Sequence, residues 1–338
     1  MLFLPISHTL CAMQLRVCLL LVALWVSLSL SLAPTRVFAQ EIELPPEIVR
    51  EVNRGIEQGV NAITLFTSQD SVSSGSFEID GKDGESGSDF SVNRLPIVRL
   101  LGEKGDEFRP RFEVVVGHFG AQSSGATGLD PTDATDFQRV SAWSFSGAAG
   151  VEWKATESLT LTPMFNVIYT HLKRRYDYNN PFSQTILRLF DRDVFNTSID
   201  LVTYNPSLEA RYKINRGETG IVLGAKYAHL FNSSESSKSR IIDVDSDSGL
   251  LQTAVEVTAP LGVSLADMPV EARPYIVRSD IYGDARKGLG LSYFHELGFD
   301  FLFDLAQVSE FAKTLSVGGS YSFGESLTGW RVGVGLAF

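Results

Sequence analysis

The chain holds 338 residues, with 40 acidic against 29 basic side chains and a formal net charge of −11. That balance makes nucleic acid a poor partner, since its phosphates would meet a field of their own sign. The two cysteines, Cys11 and Cys18, both precede residue 40, so beyond that point disulfides, thiolate metal sites and a cysteine nucleophile are excluded.

The first element in chain order is a targeting segment. Arg16 precedes the apolar run VCLLLVALWVSLSLSL, and APTRVFA then leads to Gln40. A basic start, an apolar centre and small residues before the cut describe a secretory signal peptide over residues 1–39, with cleavage expected after Ala39. The apolar run is short for a membrane span and broken by serines. Starting at Met13 instead of Met1 would give the signal a more ordinary length. The segment carries Arg16 and Arg36 but no acid, so the exported remainder is more acidic than the whole.

Residues 40–69 make a short N-terminal helical segment. Ile48, Val52, Ile56, Val60 and Ile63 recur at helical spacing, after a start at Pro45 and Pro46. Arg50, Arg54, Glu57 and Asn61 lie on the opposite face. Gly55 and Gly59 weaken the helix in isolation, so it needs a surface to lie on. That surface is either the inside of a barrel, with the helix as a luminal plug, or the periplasmic side of a membrane.

From residue 70 to 338 the period changes from helical to two. In LTLTPMFNVIY, Leu159, Leu161, Pro163, Phe165, Val167 and Tyr169 alternate with Thr160, Thr162, Met164 and Asn166. The same alternation marks strands near 90–102, 108–120, 137–153, 158–172, 196–214, 218–231, 249–261, 269–282, 289–304, 314–323 and 328–338. These runs far exceed the five or six residues usual in soluble sheets. One face is dense in Phe, Tyr, Leu and Val, and the other carries Arg, Lys, Glu, Ser and Gly. So many aromatics would overfill the inside of a soluble barrel, whereas lipid imposes no volume limit. The pattern predicts an all-β fold, a closed antiparallel transmembrane β-barrel.

Connections alternate long and short. AQSSGATGLDPTDAT, KRRYDYNNPFSQTILRLFDRDVF and NSSESSKSRIIDVDSDS are expected as external loops, between tight turns such as KATE and NRGE. Eleven strands would leave the N-terminus on the wrong side of the membrane. SVSSGSFEID supplies a twelfth, and twelve is even, with ten and fourteen as the neighbouring counts.

On the last strand Trp330, Val332, Val334, Leu336 and Phe338 share one parity, and Arg331, Gly333, Gly335 and Ala337 the other. The ending WRVGVGLAF resembles the C-terminal assembly signal of Gram-negative outer-membrane proteins. That resemblance implies recognition by the barrel-assembly machinery, with Trp330, Val332, Val334, Leu336 and Phe338 as the signal. The larger plan, a helix running into about twelve strands, resembles the translocator domain of an autotransporter, here a solitary barrel without a passenger. The resemblance covers nearly the whole exported chain, through architectural features of low specificity. It implies residence in the outer membrane of a Gram-negative bacterium, among outer-membrane lipid and lipopolysaccharide.

No catalytic, cofactor or metal site is expected. His118, His171, His229 and His295 fall on four different strands, and no nucleophile–base–orienter set follows from their spacing. DVDSDSG lacks the glycine and closing glutamate of a calcium loop and is expected as a solvated acidic loop. KRR at 173–175 is either a solvated basic rim or a contact for lipopolysaccharide phosphates. The expected role is structural or surface-interacting; the alternatives are a passive porin-like channel for small solutes and, behind it, an outer-membrane hydrolase.

Overall fold

The computed structural model describes residues 73–79, 88–103, 105–125, 136–185, 187–193, 195–237, 242–266, 268–305 and 314–337, together with Val60. All belong to one compact unit, Pro46–Phe338. Residues 1–39, expected as a signal peptide, and the rest of 40–69 lie outside the described residues, as does Phe338.

Twelve strands follow one another: β1 (Ser73–Ile79), β2 (Ser88–Leu100), β3 (Phe108–Gly125), β4 (Asp136–Lys154), β5 (Leu159–Asp177), β6 (Ser198–Arg216), β7 (Thr219–Ser237), β8 (Asp245–Leu265), β9 (Met268–Gly283), β10 (Tyr293–Asp304), β11 (Thr314–Gly324) and β12 (Leu327–Ala337). Each pairs antiparallel with its sequence neighbours, and β1 pairs with β12 to close the barrel. Closure gives the backbone donors and acceptors of each strand a partner on either side, the condition for crossing hydrocarbon. Two short helices, α1 (Pro181–Thr185) and α2 (Asp284–Leu289), and a 3₁₀ turn at Leu187–Phe190 lie in the connections on one end. At the other end β6 turns into β7 in two residues, and Gly217 supplies the left-handed conformation (φ 60°) that such a turn requires.

Side-chain alternation assigns the faces. On β4, Trp143, Phe145 and Val151 are exposed while Ala142 and Ser144 are buried. On β5, Phe165, Val167 and Tyr169 are exposed, and Thr162, Ile168, Thr170 and Leu172 are buried. On these strands the apolar set thus faces outward, as the period-two reading expects.

Three differences from that reading have physical causes. β5 continues through the KRR stretch to Asp177, and β8 begins at Asp245, so most of DVDSDSG is strand. Both extensions rise beyond the apolar belt, where no lipid imposes an apolar face and the sequence signal fades. β1 is short, and its outward side chains are Ser74, Ser76 and Glu78, level with Trp330 and Val332 of β12. Its apolar Phe77 points inward, where it stacks on Phe90 of β2 at 5.2 Å, and Phe90 stacks on Phe119 of β3 at 5.7 Å. The lumen is therefore partly apolar, where small or charged side chains were expected throughout.

Candidate functional site

The interior divides along its axis. Toward the end that carries α1 and α2, inward residues of successive strands form a continuous apolar core: Phe77, Phe90, Phe119, Leu172, Leu201, Leu230, Leu250, Ile281 and Phe294. Connections fold in to complete it. Ile242 and Val244 precede β8, Ala285 lies on α2 and Leu291 follows it, and all four are buried in the same cluster. α2 is held in place by the Ala285 amide, which donates to Ser248 Oγ of β8 at 2.9 Å. Val60, the described residue of the 40–69 segment, is helical, fully buried and part of this core. An apolar layer of this kind excludes water from the lumen at its level.

Nearer the other end, the turn end, the lumen is charged. Its cavity of about 390 Å³ is lined by Glu209, Arg211, Lys226, Glu256, Arg273, Tyr275, Glu296, Asp300 and Arg331, among others. The charges are paired, across strands or two residues apart on one strand. Arg211 bridges Glu209 at 3.4 Å and Glu256 at 3.2 Å, and Arg273 holds Asp300 at 2.6 Å. Arg331 pairs with Glu296, Arg109 with Glu152 at 3.1 Å and Arg111 with Glu113 at 3.6 Å. These are the residues that parity places inside, and the structure adds their partners. Signs are balanced around the wall, whereas a selective constriction shows one sign.

On the α1 end, Asp136 at the start of β4 organises the connection from β5 to β6. Its carboxylate accepts from Tyr176 Oη at 2.9 Å, from the amides of Asn179 at 2.7 Å and Asn180 at 2.9 Å, and from Ser183 Oγ at 3.0 Å. Burial of Asp136 opposes its ionisation, but these hydrogen bonds outweigh it and hold its carboxyl below the usual carboxylate range. Further along, Tyr178 Oη donates to Asp191 Oδ1 at 2.9 Å, and Asn196 Nδ2 donates to the same oxygen at 2.7 Å. Tyr176, Tyr178 and Phe195 pack as an aromatic group, and Arg174 lies over the Phe195 ring at 5.6 Å. This loop is folded, and its organising Asp136 carries no motif in the sequence.

The four described histidines, His118, His171, His229 and His295, face outward. His171 Nδ1 lies 2.7 Å from Asp200 Oδ1, which also accepts from Tyr169 Oη at 2.7 Å. His118 Nε2 lies 3.2 Å from Ser141 Oγ. The first pair has a base and an orienter, and the second a base and a hydroxyl. They stand on different strand pairs, with Trp143 the cross-strand partner of both histidines. A hydrolytic set would need all three groups in one hydrogen-bonded chain.

Of the terminal residues, Trp330, Val332 and Val334 are exposed at 55%, 53% and 51%, on the outward face of β12. Leu336 lies on β12 across from Leu315.

Comparison with known proteins gives the family. A model described as the solitary outer membrane autotransporter beta-barrel domain matches residues 57–334. The transport unit of the autotransporter AIDA-I from Escherichia coli superposes with a TM-score of 0.51 at 9% identity, over 85% of this chain and 99% of that one. The beta domain of the Bordetella autotransporter BrkA gives 0.49 at 11% identity, over 79% and 98%. The translocator domain of NalP from Neisseria meningitidis gives 0.43 at 11%, over 86% and 97%. A comparison with curated proteins finds no match.

Proposed function

Because this chain belongs to the solitary outer membrane autotransporter β-barrel family, we propose that it serves as a closed barrel with a structural or surface-interacting role, and not as a solute conduit. It is an integral β-barrel of the Gram-negative outer membrane. The observation that carries the closed reading is the apolar core across the lumen at the end with the folded connections, with Val60 inside it. A hydrated solute crossing that layer would exchange water for mainly apolar side chains, a cost of several kcal/mol for each charged or hydrogen-bonding group left without a partner.

In this reading the segment 40–69 plugs the lumen, residues 1–39 direct export and are removed, and the chain has no catalytic activity of its own. The series Trp330, Val332, Val334, Leu336 and Phe338 acts as the signal for the barrel-assembly machinery, and lipopolysaccharide is the outer neighbour. The charged cavity favours a second reading as a passive channel, and conductance separates the two. The intact protein in planar bilayers should be silent, and deletion of residues 41–64 with the signal kept should produce open steps. Steady conductance from the intact protein, unchanged by the deletion, would put the channel reading first.

A further inference from the structure

We propose that the outer surface of β4 and β5, above the aromatic girdle, binds the phosphorylated sugar headgroup of a glycolipid in the outer leaflet. This rests on the outer-membrane reading and adds a ligand class and residues to it. Arg139 of β4 and Arg175 of β5 are direct partners across the ladder, and Lys173 stands two residues below Arg175, across from Ser141. All three share the outward parity of Trp143 and Tyr169. Like charges placed directly opposite repel one another. Asp177 engages Arg139 at 2.9 Å. The outward acid of neighbouring β6, Asp200, is taken by Tyr169 and His171. Lys173 and Arg175 are exposed, and no ion-pair partner for either is found among the described residues. With Asp177 engaged by Arg139, an anion shared between Lys173 and Arg175 would offset the two remaining charges, and a phosphate with its several acceptor oxygens is suited to it.

Height selects a membrane-borne ligand. Trp143 and Tyr169 are amphipathic side chains of the kind that mark the hydrocarbon boundary. Lys173 is four residues further along the same strand face than Tyr169, roughly 10 Å along the membrane normal at about 3.3 Å per residue and ~40° tilt. Headgroup phosphates occupy that zone, and the cations point outward into it, away from the lumen. Next to them a cleft of about 670 Å³ is lined by Phe137, Arg139, Tyr176, Tyr178, Asn179 and Arg188, with Asp177 and Gln184. Aromatic faces and amides beside guanidinium groups suit the ring and substituents of a charged sugar. Cleft and cation pair meet at Arg139.

The test uses the full-length protein folded in detergent micelles, titrated with diphosphoryl lipid A, with the dephosphorylated lipid and with soluble glucosamine phosphate. Wild type should bind the diphosphorylated lipid roughly tenfold tighter than the dephosphorylated one, and Lys173→Gln with Arg175→Gln should remove that preference. Arg188→Gln should weaken the same lipid by a smaller factor. Arg216→Gln, an equal change of charge at the opposite rim, should bind as wild type does. Equal binding by the double variant, or equal binding of the dephosphorylated lipid, overturns the site. Soluble glucosamine phosphate bound as tightly as the lipid overturns the membrane-borne assignment. Outer-membrane fractionation and heat-modifiable migration are followed in parallel. A wild-type chain outside the outer membrane defeats the family-level reading, whereas a folded outer-membrane barrel indifferent to lipid phosphate defeats this proposal alone.

Discussion

Gly318 of β11 lies directly across from Asp300 of β10, inside the lumen. A Cβ built there would stand 2.0 Å from Asp300 Oδ1 and 2.3 Å from the backbone oxygen of Phe299. The bare glycine lets the Asp300 carboxylate lie flat on the wall, from where Oδ2 reaches Arg273. Gly318→Ala must therefore push a carbonyl as well as a side chain, an overpacking cost of about 1–3 kcal/mol. Its folded band on semi-native gels should convert to the unfolded position several degrees below wild type. Gly147→Ala is the control, because a Cβ there meets nothing within 4 Å; equal losses for the two would refute the close-approach account. Parity in the sequence was enough to place Arg273, Glu296, Asp300 and Arg331 inside. It could not show which acid each arginine holds, since that depends on barrel register and on glycines that leave room.

The connection from β5 to β6 behaves as an element in its own right, and its stability should depend on pH through Asp136. The Asp136 carboxyl is held below its ordinary value of about 3.9, so the folded loop favours the ionised form. The resulting stability is fully present above the unfolded value and is lost as pH falls through the lower folded one. Amide protection at Asn179 and Asn180 in hydrogen exchange should hold from neutral pH to the ordinary aspartate range and collapse below it. Asp136→Ala should lack that protection at every pH, and trypsin should then cut at Arg188 and Arg192 in the assembled barrel. Protection in the variant equal to wild type would show that another group holds the loop. Which elements were legible in the sequence follows from the same distinction. Strands were legible where lipid dictates the outward residue, as from Trp143 to Trp153 on β4. They were not where strands rise clear of the membrane, as at 173–177 and 245–248. β1, whose outward residues are serines and a glutamate, was legible through the even strand count and the side of the N-terminus, not through apolar alternation.

At the scale of the whole molecule the two halves of the lumen differ in what they admit. The apolar half joins strands, inward-folded connections and Val60 in one core, while the charged half keeps an open cavity. The sequence carried the charged half, because charges at one parity of a lipid-facing strand have to point inward. It did not carry the apolar half, because Phe77, Phe90 and Phe119 look like ordinary strand residues until the register stacks them. The two halves set a direction: the cavity should be reached from the periplasm and sealed from outside. Both natural cysteines lie at positions 11 and 18, which makes single-cysteine labelling practicable. Leu189→Cys, in the folded connection and exposed at 58%, should react on intact cells with a bulky membrane-impermeant maleimide. Glu256→Cys, whose native side chain lines the cavity with Arg211, should not react on intact cells and should react once the outer membrane is permeabilised. Lys226→Cys, also on the cavity wall, should follow Glu256→Cys and guard against a local effect of losing the carboxylate. Substituting Leu230→Asp places an unpaired charge in the sealing layer, where hydration is preferred to burial. In that background Glu256→Cys should become reactive from outside. Labelling of Glu256→Cys on intact wild-type-background cells, at a rate near that of Leu189→Cys, would mean that the apolar layer does not close the lumen.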